Sequence, residues 1–435
     1  MQCRPRSSTK RASQKNPHCE LPPEPDARRK PAYPPGLPLP RARFAAPFLF
    51  FALGLSFCQR ATPPDRARLS DIFRFSNAID PVVFDVEAEA ARVYENGGVR
   101  TLSDSGQCRE CHEVVYDNWQ ASRHRVAFTN PLYQESHARE PSRWCVNCHA
   151  PFVAPLAENQ ATPGPNEREH IQTDDGVSCL VCHVREGQIL SSREPEVRED
   201  HPAHDYVVLE EMQSASFCAE CHQFNFLSAE TAEPHTELAL VYADQPMQNT
   251  AMEWWQSSFR GELTCQSCHL RPDSAESHRF PGGHDHELLS QSIHVGVRRL
   301  QESGRALLTV YTFGVGHRFP TGDLFRTLVV RLLTPGGQTV AEVRLHHEFE
   351  PVPSDRRSPG DPAKVRVSDS TVPAPQGGDY AATRSFVIDL PGEPLHELRY
   401  ELYMAYLEPV NYVLTTLPLS ETRPLFESGV IAIEE

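Results

Sequence analysis

The sequence predicts a mainly α domain with little regular structure over residues 106–294, followed by a small antiparallel β-sandwich over residues 295–435. Three observations carry this. Five copies of the pattern C-x-x-C-H fall between residues 108 and 269, joined by Pro-rich and polar connectors with few long apolar runs. Cysteine disappears after Cys268. From about residue 295 onward, alternating β-rich segments take over. Ahead of the first motif lie a leader with a signal peptide, residues 1–57, and an N-terminal segment, residues 58–105.

The five copies are "CRECH" (Cys108, Cys111, His112), "CVNCH" (Cys145, Cys148, His149), "CLVCH" (Cys179, Cys182, His183), "CAECH" (Cys218, Cys221, His222) and "CQSCH" (Cys265, Cys268, His269). C-x-x-C-H is the pattern of covalent haem c attachment. Two thiols add across the vinyl groups on one edge of the macrocycle, and the histidine that follows sits beneath the iron as its proximal ligand. Structural zinc is the alternative, since paired C-x-x-C knuckles build tetrahedral sites. An odd number of knuckles pairs badly, and a histidine directly after the second cysteine in every copy is a constraint that haem imposes and zinc does not. Five covalently bound haem c groups are therefore expected. Ten of the 13 cysteines belong to the motifs, and Cys3, Cys19 and Cys58 all precede the folded region. No pair is left for a disulfide in the mature chain, although export would allow one.

Residues 41–58, "RARFAAPFLFFALGLSFC", place two arginines before a 14-residue apolar run, Phe44 to Phe57. The run has the length of a signal-peptide h-region and is too short to span a bilayer. "LSFC" resembles a bacterial lipobox, with Cys58 as the lipidated residue, although Phe57 is bulkier than the small residue usual there. Ordinary cleavage nearby is the other reading, and no clear Ala-x-Ala site serves it. The basic, Pro-rich residues 1–40 read as a basic tail or as translation from too early a start codon. The chain is expected to be exported, periplasmic or on the outer surface, with a membrane anchor at Cys58.

Removing residues 1–57 takes away ten basic and three acidic residues and carries the formal charge from −16 to −23. Haem propionates add to that charge. Such acidity argues against nucleic acid and anionic lipid as partners and favours redox proteins with a basic docking surface. It also keeps an exported protein soluble.

Motif starts lie 37, 34, 39 and 47 residues apart. Spacing of this kind builds no ordinary core, and haem plates can supply the apolar surface that side chains do not. Helices are expected after most motifs, the best candidate being "ECHEVVYDNWQASRHRVAF", with Val115, Trp119 and Arg123 at helical spacing. "DNWQASRH" (117–124) aligns without gaps on "EWWQSSFR" (253–260), matching Trp119 to Trp255 and His124 to Arg260. Towards the C-terminus, "ALLTVYTFGV", "RTLVVRLLTPGGQTVAEVRLHHEF", "RSFVIDL" and "HELRYELYMAYL" read as strands, with a hairpin turn at Pro335, Gly336 and Gly337 and a loop over 351–380.

A second axial imidazole makes a haem suited to electron transfer, whereas an empty position admits substrate. Fourteen of the 20 histidines remain for five places once the proximal five and His18 in the leader are set aside. By context the candidates are His124, His137, His204, His278 and His317, with His201 and His284 beside them. His317 sits in "GVGHRFPTGD", where small residues would let backbone approach a large cofactor. His346, His347 and His396 lie in β segments and read as surface or core histidines.

The run "CRECHEVVYDNWQASRHRVAF", "WCVNCHAP", "GVSCLVCH", "FCAECHQF", "EWWQSSF", "CQSCHL", "HRFPGGH" and "GHRFPTGD" resembles the multihaem c-type cytochromes related to the tetrahaem cytochrome that serves hydroxylamine oxidoreductase. The resemblance covers residues 105 to about 330 and implies distal-ligand roles for His124 and His317. Its departure is Arg260 in the second W-Q-x-S copy.

The expected function is an exported pentahaem cytochrome carrying electrons between redox partners through bis-histidine haems. The alternatives are a multihaem reductase or oxidase of a small nitrogen or sulfur compound, and an adhesion module whose haems only staple the chain. Against the closest enzyme analogue, all five motifs end in histidine rather than lysine, and Lys364 is the only lysine after Cys58. Replacing Cys58 with Ser is expected to release the protein from membranes; a variant that stays bound with unchanged mass rejects the anchor.

Overall fold

A C-x-x-C-H motif needs only one helical turn, because positions i, i+3 and i+4 share a helix face. The computed structural model shows that economy. It describes residues 92–95, 98–101, 105–139, 143–151, 175–185, 188–194, 204, 206–228, 242–301, 304–358, 361–392, 395–407 and 409–435; the leader, Cys58 and His201 lie outside the described residues. The motifs sit on or at the ends of the short helices Gly106–Arg109, Arg143–His149, Cys179–His183, Ala215–His222 and Cys265–His269. In the first, the amides of Cys111 and His112 both donate to Cys108 O, at 3.2 and 2.9 Å.

The connectors are less helical than the sequence reading expects. They pair as β1 (Arg92–Glu95) with β2 (Gly98–Thr101), β3 (Val184–Arg185) with β4 (Gln188–Ser191) and β5 (Val207–Val208), and β6 (Gln223–Leu227) with β7 (Tyr242–Asn249). Two helices pass directly from a motif into a strand, at Val184 and at Gln223. Helix Glu113–Gln120 stops at Gln120, so Arg123 and His124 occupy the turns after it rather than a further helical turn.

The C-terminal half is one seven-stranded sheet. Its strands are β8 (Ile293–Arg299), β9 (Arg305–Phe313), β10 (Thr327–Leu333), β11 (Thr339–Leu345), β14 (Ala381–Asp389), β15 (Glu397–Ala405) and β16 (Leu425–Glu434), in the order β11-β10-β15-β16-β8-β9-β14. A separate ribbon pairs β12 (His347–Pro351), which continues the segment read as strand, with β13 (Lys364–Asp369), which lies inside the stretch read as loop. The hairpin at Pro335–Gly337 joins β10 to β11, and Gly337 takes φ 87°, a conformation glycine adopts without strain. All pairings in the large sheet are antiparallel except β16 with β8.

Two expectations are corrected here. The described residues are 27 % helix and 35 % strand, so the fold is not mainly α. The β half is a single sheet that nearly closes on itself rather than a sandwich of two. Twist accumulates strand by strand, and bulges at Leu332/Leu333 and Leu402/Tyr403 add to the curl. Inside the curl lie Leu308, Val310, Leu328, Val330, Leu332, Leu398, Leu402 and Met404, all fully buried.

Hydrogen bonds suture this sheet half to the motif half. Glu135 accepts from the Thr415 and Thr416 hydroxyls at 2.6 and 2.7 Å. Tyr406 Oη donates to Gly283 O at 2.7 Å, and Thr321 Oγ1 to Glu253 Oε2 at 2.6 Å. Removing the side chain of Leu402, fully enclosed and registered against Val330, should lower stability by about 2–5 kcal/mol. Urea denaturation followed by far-UV circular dichroism checks it.

Candidate haem-binding site

One continuous cavity of about 2190 Å³ runs through the motif half, well above the ~1,000 Å³ at the upper end of ordinary ligand pockets. All ten motif cysteines and all five motif histidines line it, as do His124, His137, His204, His278, His284 and His317. His346, His347 and His396 do not. None of the ten motif cysteines is paired in a disulfide. Cys108 and Cys179 meet through their sulfurs, as do Cys218 and Cys265, so the first motif abuts the third and the fourth abuts the fifth. Among the described residues, no three His, Cys, Asp or Glu side chains converge as a small-ion site requires. The zinc alternative therefore finds no cage.

Four motif histidines face a second imidazole at nearly one separation. Ring centres are 6.3 Å apart for His112 and His204, 6.1 Å for His183 and His278, 6.2 Å for His222 and His124, and 6.3 Å for His269 and His317. Two metal–nitrogen bonds of about 2.0 Å, each with ~1.1 Å from nitrogen to ring centre, sum to about 6.2 Å. The rings are thus spaced to hold one metal ion between them. His124 and His222 are enclosed by protein yet keep accessible surface, because that surface is the cavity's own.

Protonation suits the same role. Burial, reinforced by neighbouring imidazoles, holds His124 at about 3 and His222 and His278 at about 4. Burial also takes His317 to about 4. These rings are neutral at pH 7, the form that ligates metal. Nδ1 of His149, His183, His269 and His317 contacts the carbonyl oxygens of Ala127, Leu190, Pro281 and Arg318 at 2.9, 2.9, 2.6 and 2.8 Å. A carbonyl only accepts, so Nδ1 carries the hydrogen and Nε2 keeps its lone pair. His222 Nδ1 lies 3.2 Å from Gln248 Nε2; with the amide turned over, Gln248 would accept from it like the carbonyls. The donor set therefore fits haem c, with thiols for the vinyl groups and lone pairs for iron.

His149 is different. The Tyr133 ring stacks on it at 4.1 Å and also on His137 at 5.3 Å. The Tyr133 hydroxyl and His137 Nε2 are buried without hydrogen-bond partners. His284 stacks on Tyr406 at 4.0 Å. Sequence reasoning missed Tyr133, Arg326 and Tyr406, which carry no motif and reach the cavity only through tertiary folding. The internal echo survives as structure: both copies end a helix near the tryptophan, and Arg260 lies over Trp255 at 3.4 Å instead of entering the cavity wall.

Residues 107–184 match the family model described as cytochrome c554 and c-prime. The fold resembles the crystal structure of a penta-heme cytochrome c552 from Thermochromatium tepidum, with TM-score 0.54 and 18 % identity over 76 % of this chain and 98 % of that one. No curated protein matches the chain. Together these likenesses support a multihaem c-type cytochrome carrying haem c. Acid–acetone extraction should leave haem on the polypeptide, and the pyridine haemochrome spectrum should give five per chain; a ratio well below five overturns that count.

Proposed function

We propose that the protein is an exported pentahaem c-type cytochrome that carries electrons between redox partners through haems held by two histidines each. The carrying observation is the four imidazole pairs at 6.1–6.3 Å, which supports His204, His278, His124 and His317 as distal ligands opposite His112, His183, His222 and His269. Haem c, once attached, supplies an iron that accepts and gives up one electron without a change of ligands. The chain's task is then geometric. Carbonyl partners fix the rings, the edge of Phe280 packs against His124 at 4.4 Å, and the touching motif pairs bring neighbouring centres close.

The acidic mature chain favours a partner with a basic face, steered over long range and sensitive to salt. The apolar run before Cys58 supports export, and Cys58 itself supports a lipid anchor.

One observation favours a second reading, turnover of a small nitrogen or sulfur compound: His149 faces Tyr133 rather than a second imidazole at 6 Å. Paramagnetic resonance separates the two. Four or five low-spin centres support the carrier, and a high-spin centre that answers to added nitrite supports the reductase. Replacing His317 with Ala should convert one centre from low to high spin and leave the others unchanged; an unaltered spectrum in a folded variant removes His317 from the ligand set.

A further inference from the structure

Two arginines stand on the cavity wall without an anion. Arg326 is wedged between backbones: a Cβ on Gly283 or Gly322 would lie 3.1 or 3.0 Å from its Nη1. That Nη1 donates to Thr321 O at 3.0 Å, while Nε is buried with no partner. Arg123 lines the same cavity. Among the described residues neither has a carboxylate within ion-pair distance. Arginines elsewhere do: Arg318 meets Asp369 at 2.7 Å and Arg331 meets Glu342 at 3.0 Å.

Aromatic rings stand close to both arginines. His284 and Tyr406 stack beside the pair, and the Tyr406 hydroxyl is already committed to Gly283 O. Burial and both guanidiniums drive His284 down to about 2, so it is neutral and adds no charge beside them. Two cations that line one cavity without an ion-pair partner suit an anion, and a guanidinium fork matches a carboxylate edge.

We propose that Arg123 and Arg326 form an anion site facing the cavity, one that takes carboxylate-type groups. This rests on the haem reading above, under which each macrocycle brings two propionates into a chamber whose wall otherwise offers these two cations little to bind. A small free oxyanion has the same chemistry and is the other source.

The holoprotein, R123Q, R326Q and R326K are compared at equal haem content. With propionate as occupant, R123Q and R326Q change the propionate-bending bands of resonance Raman spectra and lower at least one haem potential. R326K then keeps more of the potential than R326Q, because its charge remains, but not the wild-type band, because the fork is gone. Nitrite added to the wild type leaves the spectrum unaltered. A nitrite-induced spectral change that R326Q abolishes sustains the site and assigns it to a free oxyanion. Wild-type bands and potentials in both glutamine variants, with no nitrite response, overturn the proposal. Absence of haem from the wild type sinks the cofactor reading instead, which the haemochrome ratio of the same samples reveals.

Discussion

Holding pairs of imidazoles at the span of one metal ion, across a chamber lined by the motif cysteines, is the constraint on which the rest of the fold depends. Proteins normally close-pack their interiors. Here about 2190 Å³ is lined with thiols and rings, so under the haem reading the wall is shaped around cofactor rather than around side-chain packing alone. Short helices suffice because each need only present one face of one turn. What they lack in mutual packing is made up by backbone carbonyls that fix individual rings and by sutures to a stiffer partner.

That partner is the curled sheet. It contains no C-x-x-C-H motif, yet the loop between β9 and β10 delivers His317 opposite His269, and Arg326 stands immediately before β10. A binding group gains precision when it is mounted on a rigid element, and this one hangs from strands whose inward side chains are fully buried. Thr321, on the same loop, donates to Glu253, which sits on the short helix of the second W-Q-x-S copy. Loop, helix and sheet therefore set one another's positions.

Much of this was legible before any coordinates. The motifs announce their chemistry because vinyl spacing dictates cysteine spacing, and strands β9, β10, β11, β14 and β15 announce themselves through alternation. The hairpin at Pro335–Gly337 follows from turn chemistry. The helical expectation erred because the motif requires one turn and the connectors are free to be extended. His124 was named for its context, but its helix stops four residues earlier; its place opposite His222 depends on a turn held by bonds such as Val177 N–H to His124 O at 2.9 Å. Sandwich and curled sheet share one alternation pattern, so only strand pairing separates them. Tyr133 and Arg326 were illegible because a residue becomes a wall residue through distant partners, and nothing in its neighbouring letters says so.

The five motifs are equal as sequence and unequal as structure. Four have a histidine across from them, drawn from the segment before the fourth motif, the segment after the fifth, the first W-Q-x-S copy and the β half. For His149 the neighbouring ring is Tyr133, which also stacks on His137. A buried imidazole nitrogen or phenol hydroxyl without a partner has a free-energy cost, and among the described residues His137 Nε2 and the Tyr133 hydroxyl share that state on the cavity wall with Ser178 Oγ, Gln266 Oε1 and Arg326 Nε. Under the proposed reading, four motifs each have an imidazole across from them, and the second, beside Tyr133 and His137, is the one that separates a carrier from a reductase.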